Sequence, residues 1–303
     1  MSSYCKFYKE KKQVSYDNGI TWSDVVPAEY RKGELIQSGS ADCESGPSGY
    51  STQYLTFVAV SAGTFSFEGT SSSTIYNSTI QYSVDNGSTW YTLNSGYQSP
   101  TILPGDKIMW KGNLKSPGNG IGMFFSTKKF NVEGNIMSLL YGDNFASQTS
   151  LSGYTAAFAD LFLGNENVVS AENLVLPATT LTEACYQSMF YSCSGLTTPP
   201  SILPSMDLSL RCYYQMFEHC PLLTSSPELP ATTLVQQSYC MMFKDCPSLN
   251  YVKCLATDIS ASNSTSNWLD GVASSGTFVK NSSMSSWTSG TSGIPSNWSV
   301  QNA

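Results

Sequence analysis

Residues 50–135 carry short segments in which apolar side chains alternate with polar ones or run almost unbroken. Residues 54–60 (YLTFVAV), 64–68 (TFSFE), 79–84 (TIQYSV), 90–93 (WYTL) and 107–111 (KIMWK) are rich in aromatic and β-branched residues. Gly, Pro and Asn punctuate them at a spacing of roughly ten residues, as in antiparallel β-proteins. The pattern predicts an immunoglobulin-like β-sandwich over residues 50–135, with the stretch 123–132 supplying further strands.

A different pattern takes over downstream. Residues 176–202 read LPATTLTEACYQSMFYSCSGLTTPPSI, residues 203–228 read LPSMDLSLRCYYQMFEHCPLLTSSPE, and residues 229–254 read LPATTLVQQSYCMMFKDCPSLNYVKC. Equivalent positions form columns: Leu181, Leu208 and Leu234; Tyr186, Tyr213 and Tyr239; Phe190, Phe217 and Phe243; Cys193, Cys220 and Cys246; Leu196, Leu223 and Leu249. A weaker copy upstream places Phe158, Leu161, Phe162, Asn165 and Val168 in the same columns. About four units therefore span 136–260, with 261–303 as a capping segment, as a stack needs when no unit can bury its apolar face alone.

Within a unit, Leu181, Cys185 and Met189 recur every fourth residue, and Phe190 and Cys193 extend the same face. That spacing predicts a short helix. Pro199, Pro200, Pro204, Pro227 and Pro230 end each unit, and a short strand is expected near 196–198. The predicted fold class is multidomain: a β-sandwich in the N-terminal half and a short α/β leucine-rich-repeat-like solenoid after it.

Residues 1–49 read as a small separate module. An extended strand over 5–16 leads to a hairpin at Asp17-Asn18-Gly19, and Gly46-Pro47-Ser48-Gly49 marks its boundary. The segment Ser15–Trp22 matches Ser83–Trp90 in the form S-x-D-x-G-x-T-W and resembles the Asp-box of sialidases. Asp-Asn-Gly suits a tight hairpin, so the motif reads as a structural turn. Sialidases also hold their substrate with an arginine cluster, whereas this chain has only Arg31 and Arg211.

Composition narrows the chemistry. Charged residues are 12% of the 303-residue chain and net charge is −7, so hydroxyls and amides supply most of the polar surface. No basic patch suited to nucleic acid is present. The first residues show no apolar leader, and no apolar run is long enough to span a bilayer, so neither general secretion nor membrane insertion is expected.

Nine cysteines are present, seven of them in the repeats. Their gaps of eight residues do not fit the close pairs of structural zinc sites. A packed column is favoured over disulfides or metal ligation. The single histidine, His219, has no evident partners and is expected to be exposed.

No phosphate-loop, zinc-protease or nucleophile-elbow motif occurs. The acids Asp106, Glu133, Asp143 and Asp160 read as turn or surface residues. No catalytic, cofactor-binding or metal-binding residues are assigned, and no cofactor and no enzymatic activity are expected. The column Tyr186, Tyr213 and Tyr239 has two readings: a cover over the repeat core, or a surface for recognition.

The pattern LPATTL…CY..MF..C..L resembles the leucine-rich repeats of BspA-like surface proteins of Bacteroidales. It also resembles repeats in structural and fibre proteins of crAss-like bacteriophages, and the likeness extends over about residues 140–303, roughly a domain's length. One departure is that Cys185 and Cys212 have Ser238 at the equivalent place. The resemblance implies a virion structural protein, a head- or tail-fibre component with its repeats turned outward for host attachment. Residues 1–49 would then dock to capsid or tail proteins, and a host cell-surface glycan or protein would be the ligand. Fibre analogy implies a homo-oligomer, dimer or trimer, on the virion surface. The alternative is an adhesin on the bacterial cell surface, and a glycan-processing enzyme is a third class.

Overall fold

A computed structural model of the chain describes residues 4–8, 11–15, 23–24, 52–69, 79–114, 120–285 and 287–303. The chain divides into two units, Met1–Ser48 and Gly49–Ala303. In the first, β1 (Tyr4–Tyr8), β2 (Lys11–Ser15) and β3 (Ser23–Asp24) form one antiparallel sheet. Tyr8 pairs with Lys11, so the stretch expected as one long strand folds back on itself. The Asp17-Asn18-Gly19 hairpin and the linker before residue 49 lie outside the described residues.

The second unit begins with strands where alternation predicts them: β4 (Leu55–Ala59), β5 (Phe65–Glu68), β6 (Ile80–Ser83), β7 (Tyr91–Leu93), β8 (Lys107–Gly112), β9 (Met123–Ser126) and β10 (Phe130–Asn135). Their assembly departs from an antiparallel sandwich. One mixed sheet runs β11-β10-β4-β8-β6-β7, where β11 is Val168–Val175, and β10 pairs antiparallel with β4 but parallel with β11. The pair β5-β9 covers its inner face, and an aromatic core fills the gap. Within it Phe57 lies 4.9 Å from Phe124, and Phe130 lies 5.0 Å from Phe65.

Strand β10 therefore belongs both to the β-rich half and to the repeats, and the sheet crosses the expected boundary at 135. Further parallel strands follow, one per unit: β12 (Ser225–Leu229), β13 (Tyr251–Cys254), β14 (Thr277–Lys280) and β15 (Ser299–Asn302), in that order across one sheet. Parallel bridges Ser170–Thr198 and Ile202–Glu228 carry the pairing through the intervening unit.

The opposite wall of each coil corrects the α/β expectation. Among the described residues, α-helix is confined to α1 (Ser138–Tyr141), ahead of the first turn run. The segment with helical spacing is a run of turns. Gln187 N–H donates to Ala184 O, Met189 to Tyr186, and Tyr191 to Ser188, each spanning three residues. Every fourth residue is left-handed: Ala184 (φ 56°), Ser188 (52°) and Ser192 (56°), and likewise Arg211, Gln215 and His219 in the next coil. A φ above zero at the third position of alternate turns matches the type II turn.

These left-handed residues explain the wall. A right-handed helix keeps its N–H groups for its own carbonyls. One left-handed residue in four unwinds the segment into a flat ribbon, and alternate N–H groups turn sideways. They reach the next coil: Phe158 N–H donates to Cys185 O at 2.7 Å, Phe190 to Met216 O at 2.9 Å, and Phe243 to Trp268 O at 3.0 Å. A four-residue turn period places side chains on one face much as a helix does, which is why the sequence pattern reads as helical.

Inside, the columns stack. Phe124 of β9 begins a ladder that continues through Phe162, Phe190, Phe217 and Phe243, with Phe190–Phe217 and Phe217–Phe243 each 5.6 Å apart and 3° from parallel. A fifth turn run, residues 261–271, repeats the left-handed pattern at Asn263, Asn267 and Gly271. It belongs to the array rather than to the cap. The remaining C-terminal residues close the stack, with Trp268 Nε1 donating to Gly293 O at 2.9 Å. At the other end, Phe124 N–H donates to Leu161 O at 2.8 Å, so β9 covers the first coil.

Candidate functional site

The tyrosine column lies in the interior. Tyr186, Tyr213 and Tyr239 are each 1% exposed, and Tyr186 and Tyr213 stack at 5.6 Å and 6°. This corrects the recognition reading, because buried rings offer a partner no surface. Burial pushes all three phenols well above their ordinary range.

The thiols also point inward. Cys193, Cys220 and Cys246 each donate to a carbonyl one coil back, that of Phe162, Phe190 and Phe217 respectively, at 3.0 Å. The seven cysteines of the repeats are free and buried. Desolvation pushes Cys212, Cys246 and Cys254 up to about 12. A buried thiol with so raised a pKa is neither a nucleophile nor a ready metal ligand.

The acids of the β-rich half are engaged locally. Glu133 meets Lys107 at 2.6 Å. Asp143 accepts from Lys111 and from Tyr54 Oη, both at 2.7 Å, and the bond from Lys111 leads in holding its carboxyl below the usual range. Asp160 is held up by burial alone. The Asp-box at 83–90 is a turn: Asp85 Oδ1 accepts from Ser83 Oγ at 2.7 Å and from Thr89 N–H at 2.9 Å, while Asn86 and Gly87 are both left-handed. Its counterpart at 15–22 lies mostly outside the described residues.

Charged side chains gather at one corner of the coils. Each turn run there ends at a left-handed residue, and successive coils place Ser192, His219, Asp245 and Gly271 side by side. With Glu166 and Pro221 they line a shallow groove of about 540 Å³ running across the coils. Gly271 suits its place, since it is left-handed (φ 73°) and a Cβ there would crowd the Asp245 backbone at 3.1–3.2 Å.

Beside the groove, Glu218 is buried but not alone. Gln215 Nε2 donates to its Oε2 at 2.5 Å, and Lys244 Nζ to its Oε1 at 3.2 Å. Lys244 also bonds Asp245 Oδ2 at 2.9 Å, and these two bonds, Asp245 first, hold its ammonium charged. His219 sits between the carboxylates, with Nε2 3.7 Å from Glu218 Oε1 and Nδ1 3.6 Å from Asp245 Oδ2. The imidazole is half-buried rather than freely exposed, and it has partners that composition did not suggest.

Aligned copies do contain the signal for this cluster. His219 and Asp245 share a column, and so do Glu218 and Lys244, so residues 26 apart in sequence become neighbours. No protein-family model matches this chain, and neither a curated protein nor a solved structure matches it.

Proposed function

We propose that this chain is a non-enzymatic structural and binding protein of a bacteriophage particle, a head- or tail-fibre component whose repeats attach to the host surface. The reading is supported first by the likeness of the repeats to those of BspA-like surface proteins and phage fibre proteins. The observation that carries it further is how the coils divide their side chains. The stacked Phe, Tyr, Cys and Met columns face inward, the turn runs are covered at both ends, and polar side chains recur at the outward positions. Thr179-Thr180, Met206-Asp207, Thr232-Thr233 and Thr257-Asp258 stand at one exposed edge, mostly hydroxyl with Met206 and two acids among them.

A surface that repeats along a rigid axis suits a ligand that also repeats, such as a host glycan or an ordered surface protein, because many weak contacts then act together. Residues 1–49 would dock the chain to capsid or tail proteins, and a dimer or trimer is the assembly that fibre analogy favours.

Peptide mass spectrometry on purified phage particles, with the host envelope fraction run beside them, tests this reading. Stoichiometric presence in particles supports it. Presence only in the envelope overturns it in favour of a bacterial surface adhesin.

A further inference from the structure

We propose that Glu218, His219 and Asp245 form a binding site for a first-row divalent transition metal such as Zn²⁺, with Lys244 as the resident cation that the metal displaces. The proposal is independent of the phage reading. One ligand atom from each of the three residues lies within 4.8 Å of the others. One imidazole with two carboxylates is a ligand set that suits zinc, nickel or cobalt and leaves positions for water.

Two further features separate this cluster from ordinary surface acids. Glu218 is buried and oriented: Gln215 holds Oε2, which turns Oε1 toward Lys244 and His219. A partner that fixes a carboxylate in this way is what metal ligands commonly have behind them. The site also opens on the groove, where His219 and Asp245 are exposed enough for an ion to enter.

Lys244 bonds the same two oxygens, Glu218 Oε1 and Asp245 Oδ2, that an ion would use. With a neutral imidazole the two carboxylates and one ammonium leave a net charge of −1. A divalent ion balances both carboxylates, and the flexible lysine stem can move its ammonium out to water. The bound ion would clamp two adjacent coils and present open coordination positions in the groove.

Calorimetric titration of Zn²⁺ into the chelator-treated full chain tests this, with melting followed in parallel. One ion per chain and a raised Tm are expected. His219→Asn should weaken binding at least tenfold; Asn tolerates the left-handed backbone (φ 60°) at that position. Lys244→Met should bind more tightly than the parent, since the competing ammonium is gone, an outcome that a merely structural ion pair does not give. With Co²⁺, absorption bands of nitrogen and oxygen ligation without thiolate charge transfer are expected. No binding by either the parent or Lys244→Met overturns the site. So does binding unchanged by His219→Asn, or a thiolate signature, which would move the ion to a cysteine.

Discussion

The indole of Trp287 lies flat on that of Trp268, 5.6 Å between ring centres and 8° between planes. Trp268 in turn takes up both ladders, 6.2 Å from Tyr239 and 6.5 Å from Phe243. The last coil thus ends in one wide ring spanning two columns, and the cap supplies the ring that shields it from water. Trp287→Ala should cost about 3 kcal/mol, within the range for large aromatic truncations. A thermal melt that coincides with the parent's would show that Trp287 does not close the stack.

The turn runs make a prediction opposite in sign to that of a helix. Ala184→Gly should stabilise by roughly 0.5–1 kcal/mol, because glycine escapes the left-handed penalty that alanine bears. In a helix the same change would cost about 1 kcal/mol. Ala178→Gly, at a buried position without positive φ, should destabilise and serves as the control. Urea midpoints of the two variants decide between the conformations.

Ser238 stands in the column of Cys185 and Cys212, fully buried, with no partner for its hydroxyl. Ser238→Cys replaces a stranded polar group with a small apolar one and should stabilise by about 1 kcal/mol. That is a rise of roughly 2–4 °C in Tm for a unit of this size. A lowered Tm would mean that the hydroxyl is satisfied in solution.

The thiols predict a redox result. With the repeat cysteines free, adding reductant should leave the melting temperature unchanged. Thiol reagents should label these seven only after denaturation, since burial holds them protonated. A large fall in Tm under reductant would instead reveal disulfides.

The same burial sets an alkaline limit. Cys212, Cys246 and Cys254 sit at about 12 in the folded chain against an ordinary 9.0, and the ladder tyrosines lie well above their ordinary 10.0. Each folded pKa is raised, so the stabilisation is complete below the unfolded value and is lost as pH climbs through the folded one. Stability should therefore hold to about pH 9 and decline toward pH 12, with Tm lower by about 10 °C or more at pH 11 than at pH 8. Melts across that window check the sign.

The sequence by itself determined the period, the columns and most strands. The same side chains recur every 26 or 27 residues, and only a stack brings such columns together. The fifth copy is masked in the sequence because Ser264, Thr265 and Leu269 replace its Cys, Tyr and Phe. The charged corner was legible only by laying copies side by side, since no local motif joins Glu218 to Lys244. Tertiary structure alone decided that the turn runs are ribbons, that β10 joins the two halves, and that the tyrosines are buried. The reason lies in where a backbone N–H finds its acceptor. Apolar spacing of four residues fits a helix and a turn ribbon equally well, and the choice falls to the ribbon when the following coil offers carbonyls, and the preceding coil N–H groups, in register.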